Sequence, residues 1–374
     1  MRFKRYTTEW TKINLSNYLF VSSKRNKDGR FSKEDVLSVS GELGIVNQIA
    51  LLGRSYAGES VLPYHIVEKG DIVYTKSPLA LYPYGIIKTN RNKVGIVSTL
   101  YAVYKTKDNA NNRFIEHYFS LKSRINNYLK PIVRIGAKHD MKIGNNEVLE
   151  NIVAFPDISE QCEIADFLDL LDNRISVQNK IISKYETLIK GIRERVVNGS
   201  WQWKKLDELI QEGVVRLNRG NIIPKHPKDN TYKYPVYSSS TQNNGLMGYN
   251  NTYMFDKELI TWSIDGGGNF FYRKKHKFNV TNVCGIMQVD ENVYSYRFIA
   301  EMLTYQHSKM KFDYQSKAHP SVISSLYSLP CLPISEQNSY CQLFIALDRK
   351  MQTEQCSLNK LKEQKKYLLS KMFI

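Results

Sequence analysis

The strongest constraint on this chain is that it repeats itself. Ile158-Ser159-Glu160-Gln161 returns 176 residues further on as Ile334-Ser335-Glu336-Gln337. With no gap introduced, Leu171-Asp172 falls on Leu347-Asp348, Lys184 on Lys360 and Lys190 on Lys366. A chain that carries one structural unit twice folds as matching modules, so the repeat sets the architecture before any residue receives a role.

Both copies read as long helices. In the first, Leu168, Ile175, Ile182, Ile189 and Val196 recur every seven residues, and Ile164, Leu171, Tyr185 and Ile192 form a second row with Gln178 as its polar member. In the second, Phe344, Met351, Leu358 and Met372 make one row, interrupted by Lys365, and Leu347, Leu361 and Leu368 make the other, interrupted by Glu354. Apolar seams of this length belong to coiled coils. Each stripe could instead lie on the core of its own domain, but two matching stripes of similar length favour pairing with each other. Ser159 and Ser335 stand where each could cap a helix start, with Glu160 and Glu336 where the helix dipole favours an acid. Asn198-Gly199 suits the end of the first helix. About 38 residues at about 1.5 Å each make a rod of about 57 Å, comparable with one to two turns of DNA at about 34 Å each.

Weaker repetition precedes each helix. Trp10-Thr11-Lys12-Ile13 resembles Trp203-Lys204-Lys205-Leu206, and the runs around Ile72-Val73-Tyr74 and Ile260-Thr261-Trp262 read as strands bounded by turn residues. Residues 113–128 and 296–311 read as helices, with Phe114, His117, Tyr118, Leu121 and Ile125 on one face of the first. The expected fold is mixed α/β: globular blocks at 1–155 and 199–331, each followed by a long helix, at 156–198 and 332–374.

Charge says what such blocks touch. Lys and Arg number 53 against 36 Asp and Glu, a net charge of +17. That points to a polyanion, nucleic acid first and anionic membrane second. The excess is uneven: residues 1–150 hold 24 basic and 13 acidic groups and 201–330 hold 16 and 11, whereas 151–200 hold 6 and 8. No run approaches the roughly 18 apolar residues of a membrane span, and Met1-Arg2-Phe3-Lys4-Arg5-Tyr6 lacks the apolar run of a signal peptide. The five cysteines are never spaced CxxC, so disulfides and zinc knuckles are not expected. A cytoplasmic protein is the expectation.

Recognition residues concentrate on loops held by strands. In the first block the candidates are Lys24, Arg25, Lys27 and Arg30 in one polar turn, with Lys138 and His139 ahead of the long helix. In the second they are Arg216, Arg219, Asn221 and Lys225, the loop residues Ser239, Thr241, Gln242, Asn243 and Asn244, the cluster Arg273, Lys274 and Lys275, and Lys317 with His319. Arg and Lys suit phosphates and guanine edges, while Asn and Gln suit adenine edges. Any one of these cations could equally be ordinary solvated surface. Motifs of chemistry are missing: there is no Gly-x4-Gly-Lys-Ser/Thr loop, no His-Glu-x-x-His and no pair of adjacent prolines. Gly266-Gly267-Gly268 lacks the helix and downstream acid of a cofactor loop and reads as a tight turn. Glu363-Gln364-Lys365 matches the tail of a nuclease signature but lies in the last helix.

Two basic α/β blocks, each followed by a helix opening Ser-Glu-Gln, resemble the specificity subunit of type I restriction–modification systems. The resemblance spans essentially the whole chain in architecture and is most specific over residues 155–197 and 332–373, including the ending Leu368-Leu369-Ser370-Lys371-Met372-Phe373. It implies two target-recognition domains that read the halves of a bipartite, asymmetric target in double-stranded DNA. It implies that the conserved helices pair as an antiparallel coiled coil, set the distance between halves, and dock two modification (methyltransferase) subunits and the restriction/translocase subunits. S-adenosylmethionine, ATP and Mg2+ then belong to those partners, and this chain supplies no catalytic residue, metal or cofactor. The alternatives are a single-chain DNA methyltransferase or nuclease, and a scaffold that never touches DNA.

Overall fold

The computed structural model describes residues 2–79, 81–135, 141–223, 231–240, 242–265, 267–310 and 317–373. It divides into two compact units, one made of Met1–Asn179 with Ser357–Ile374 and the other of Lys180–Cys356. In chain order the elements that matter are β1 (Thr11–Asn14), β2 (Leu19–Val21), β3 (Ile72–Thr75), β4 (Ile87–Thr89), β5 (Tyr101–Thr106), α1 (Asn112–Ser120), β6 (Ile152–Phe155) and α2 (Ile158–Val197). They continue with β7 (Trp203–Lys205), β8 (Val215–Arg219), β9 (Leu259–Ser263), β10 (Phe270–Arg273), β11 (Cys284–Val289), α3 (Tyr296–Lys309), β12 (Ser328–Pro330) and α4 (Ile334–Met372).

The repeat is visible in the topology. The first unit holds a four-stranded sheet in the order β2-β5-β3-β4 and a ribbon β1-β6; the second holds β8-β11-β9-β10 and a ribbon β7-β12. Every one of these pairings is antiparallel. The central strands β3 and β9 are buried along their whole length, which is why they read as nearly unbroken apolar runs rather than alternating ones. At Gly285 the backbone passes so close to Trp262 that an added Cβ would lie 1.9 Å from the ring. Only glycine fits there.

Two details differ from the sequence reading. The 113–128 helix is broken: α1 ends at Ser120, Leu121 is extended (φ −78°, ψ 118°), and a second helix runs over Lys122–Leu129. The break lets Phe114, Ile115 and Phe119 before it, and Ile125 and Leu129 after it, all face one core. Nor do the serines cap the long helices. Asp157 accepts the Glu160 N–H at 3.0 Å through its side chain, and the Pro333 carbonyl accepts from Glu336 and Gln337. Each helix starts two residues earlier than a serine cap requires, so Ser159 and Ser335 fall in the first turn.

The seams lie where the heptads put them. In α2, Ile164, Leu168, Leu171, Ile175, Gln178, Ile182, Tyr185, Ile189, Ile192 and Val196 are buried or half-buried in alternating steps of three and four. Phe344, Leu347, Met351, Glu354, Leu358, Leu361, Lys365, Leu368 and Met372 do the same in α4. The two helices pack together, antiparallel. In the first unit Leu168, Leu171 and Ile175 share a core with Leu361, Leu368, Leu369 and Met372. Lys365, read as an interruption, places its Nζ 2.5 Å from Asp172. In the second unit Val196 and Cys341 share the core. The last residues of α4 are anchored in the first unit: Phe373 is buried against Trp10, Phe114 and Tyr118. Arg124 lies over its ring at 5.0 Å and donates to its carbonyl.

The glutamine of the repeated Ser-Glu-Gln is the joint between helix and block. Gln161 is fully buried; its Oε1 accepts the Asn111 N–H at 2.9 Å and its Nε2 donates to the carbonyls of Asn109 and Pro156. Gln337, equally buried, accepts from the Ser295 N–H at 3.0 Å and donates to the carbonyls of Val293 and Leu332. Asn111 precedes α1 and Ser295 precedes α3. Both copies therefore tie the start of a long helix to the start of the block's shorter one.

An ion-pair hub reinforces this joint in the first unit. Asp169 accepts from Arg91 at 2.6 Å, Arg113 at 3.0 Å and His117 Nε2 at 2.8 Å. Burial alone would raise the Asp169 pKa, but hydrogen bonds from His117 and Arg91 and their charges outweigh it and hold the carboxyl below the ordinary range. A depressed carboxylate gives stability that is complete above the unfolded pKa of about 3.9 and is lost as pH falls toward the native value. The stability difference between wild type and Asp169→Asn is therefore expected to shrink as pH drops from about 5 to about 3. Denaturant titration at each pH measures it, and a pH-independent difference would contradict this role.

Candidate nucleic-acid interface

In the first unit the basic turn follows β2 and is knitted from inside. The buried Asn26 side chain donates to the Phe31 carbonyl at 2.8 Å and accepts the Phe31 N–H at 3.0 Å, closing the loop on itself. Its four cations then differ in state. Lys24 pairs with Glu68 at 2.7 Å, and Glu68 also takes Lys105 at 2.5 Å. Hydrogen bonds from Lys105 and then Lys24 bring the Glu68 pKa down to about 2. Arg25 donates to the Pro63 carbonyl at 2.7 Å. Arg30 lies over the Phe31 ring at 5.3 Å. Lys27 and Arg30 are exposed, and neither has a carboxylate within salt-bridge distance among the described residues. Positive charge on a rigid loop, unneutralised, suits a phosphate backbone. Lys138 and His139 lie outside the described residues.

In the second unit hydrogen bonds bring Arg219, Asn221 and the start of the polar loop into one neighbourhood. Arg219 donates through Nε and Nη2 to the Asn282 carbonyl at 3.0 and 2.8 Å, and the Asn221 N–H donates to Val280. Thr281 N–H donates to Tyr237, the residue before the polar loop, and Ser263 Oγ donates to the Ser239 carbonyl at 2.7 Å. In that loop Gln242, Asn243 and Asn244 are exposed. Asn243 (φ 48°), Asn244 (φ 50°) and Gly245 (φ 77°) are consecutive left-handed residues, a backbone that asparagine and glycine tolerate best. Lys274 and Lys275 are exposed with no carboxylate partner among the described residues, Lys317 lies 3.5 Å from Asp265, and half-buried His319 precedes the helix Pro320–Leu326. Lys225 and Thr241 lie outside the described residues, as does Gly266. Gly267 and Gly268 form the β9–β10 turn.

Arg273 is different: it is 4% exposed, with its guanidinium 3.6 Å from the Tyr237 ring centre and Nε donating to Thr261 at 3.0 Å. Burial pulls its pKa down to about 10. It braces the sheet under the polar loop and offers no surface. Two residues that sequence reasoning missed, Asn218 and Gln288, line an open pocket of about 390 Å3 with Arg219, Asn221, Met254, Phe255 and Ile286. The signal for Asn218 was present: in Val-Arg-Leu-Asn the buried Val215 and half-buried Leu217 alternate with exposed Arg216 and Asn218. Gln288 stands opposite Arg216 on the neighbouring strand.

His117, Asp169 and Asp172 lie close enough to share an ion, but Arg91, Arg113 and Lys365 already hold those carboxylates. Among the described residues no helix is long and apolar enough to cross a membrane. A row of large side chains lies on the outside of α2, where Phe167, Leu170, Val177 and Leu188 are exposed.

With this arrangement established, relatives are informative. The profile of the type I restriction modification DNA specificity domain matches residues 63–187 and 198–367, and the chain belongs to that family. The two matched stretches correspond to the two copies of the repeat. The Mycoplasma pneumoniae protein S.MpnORF285P, assigned by name to the type I specificity subunits, is 36% identical over 132 residues, which cover 33% of this chain and 42% of that one. The MpnII type I restriction enzyme specificity subunit of the same organism is 29% identical over 128 residues, covering 33% of this chain and 39% of its own length. The chain spans less than half the length of the curated relatives named here. The S subunit of a type I restriction-modification system from M. genitalium shares the fold, with a TM-score of 0.66 at 15% identity over 100% of this chain and 99% of that one.

Proposed function

We propose that this chain is the non-catalytic sequence-specificity subunit of a type I restriction–modification complex. One observation supports the reading above others: a basic α/β block and a long seam-bearing helix occur twice in one chain, with the same sheet order and the same buried glutamine joint. A single block reads few base pairs, and each good bidentate contact gives about 1–3 kcal/mol of discrimination. Two blocks joined by a stiff element combine their readings through effective concentration. On this reading blocks 1–155 and 199–331 each take one half of a split, asymmetric target in double-stranded DNA, and the paired helices hold the gap. Phosphate contacts fall to Lys27, Arg30, Lys274 and Lys275, and base contacts to the carboxamides of the second block. The exposed row on α2 suits docking of modification subunits, two of them, with the restriction subunit joining the same complex. S-adenosylmethionine, ATP and Mg2+ act on those partners, in the cytoplasm.

Two measurements test the reading. Affinity of the purified full chain for duplex DNA should fall on the order of a hundredfold between about 50 and 200 mM salt, because bound phosphates release counterions; a salt-independent affinity fits a scaffold. Exchange of residues 1–155 for the corresponding block of another family member should change one half of the selected sequence and leave the other intact. Change in both halves would refute the modular assignment.

A further inference from the structure

We propose that the open pocket on the second unit selects one adenine–thymine base pair, with Asn218, Asn221 and Gln288 as its specificity-determining residues. The inference rests on the DNA-recognition reading above and names the bases that reading leaves open. The pocket is built by two paired strands and a neighbouring loop: Asn218 of β8 stands opposite Ile286 of β11, and Gln288 lies two residues further along β11. A ladder of backbone hydrogen bonds fixes those Cα positions, so the carboxamides of Asn218 and Gln288 are set by the sheet, while Asn221 follows β8 with its N–H bonded to the Val280 carbonyl.

The chemistry of the lining narrows the ligand. Among the described residues the polar lining is three neutral carboxamides and one guanidinium, with no carboxylate. Arg219 is already oriented, since Nε and Nη2 both donate to Asn282. A carboxamide offers an acceptor and a donor side by side, the complement of the adenine amino group and N7 in the major groove. Met254, Phe255 and Ile286 supply the apolar wall that a thymine methyl group favours. The concavity is open, which fits the projecting edge of a base pair better than an enclosed small molecule. Among the described residues of this unit, Lys274 and Lys275 lie nearby in sequence to β10 and stay free for phosphates.

The test is selection of randomised duplexes by the full chain, wild type and variant, followed by sequencing of the bound pool. For the Asn218→Ala, Gln288→Ala double variant the expected result is loss of preference at one A·T position by about tenfold, with affinity for unselected DNA within about twofold because phosphate contacts carry that term. Gln288→Glu keeps the size of the side chain and replaces its donor with an acceptor; at the same position it should shift preference toward cytosine, whose amino group donates to a carboxylate. Unchanged preferences at every position in both variants would overturn the pocket assignment and leave the subunit reading standing. A wild-type chain that selects no sequence at all would defeat the subunit reading itself.

Discussion

Insertion of one heptad into each long helix, at matching points of the seam, is expected to leave both half-sites unchanged and lengthen the gap between them by about three base pairs. Seven residues add about 10 Å of helix at 1.5 Å per residue, and base pairs stack every 3.4 Å or so. Seven is the length that preserves the seam, because the buried positions alternate in steps of three and four along both helices. Insertion of four residues into α2 alone would rotate Ile175 and Ile182 out of register with α4 and cost stability instead. Sequencing of duplexes selected by the inserted chain measures the gap. An unchanged gap would mean that the helices do not set it.

The largest loss of stability is expected from the two buried glutamines. Gln161→Ala leaves the half-buried Asn111 N–H and the buried Pro156 carbonyl without their partner, while the Asn109 carbonyl can turn to water; two groups at about 1–3 kcal/mol each set a cost of about 2–5 kcal/mol. Gln337→Ala should cost a similar amount, because it deprives the Ser295 N–H and the carbonyls of Val293 and Leu332 in the same way. Since the two residues lie in different units, hydrogen exchange should rise around α1 in the first variant and around α3 in the second, and the two losses should add. A loss below about 1 kcal/mol for either would deny the glutamine its role as a joint.

Why the seam was legible in advance and the surface was not has a physical explanation. A heptad is enforced by burial at every turn, so Leu168 through Val196 announce themselves at fixed spacing. Even the positions that broke the pattern had a reason visible only in three dimensions: Lys365 sits where Asp172 reaches it. Capping turned on a two-residue offset: both helices already start at the isoleucine before the serine, behind the Asp157 side chain in one and the Pro333 carbonyl in the other. In the blocks, charge along the chain could not separate Lys27, which has no carboxylate partner among the described residues, from Lys24, which is neutralised by a glutamate 44 residues away. Arg273 stands in the same basic run as Lys274 and Lys275, yet it turns inward onto Tyr237. Nothing local in the sequence marks that turn, because the aromatic ring that receives it belongs to another strand. The pocket residues Asn218 and Gln288 are likewise 70 positions apart and meet only through the pairing of β8 with β11.

Two reading blocks at a set spacing require a target of two parts with one fixed gap. Mapping of methylated bases across a genome that carries this chain with its modification subunits tests that most directly. A split motif is predicted, two short unlike halves separated by a gap of constant length and unspecified sequence. Methylation on a single continuous motif, or on halves whose separation varies from site to site, would contradict it.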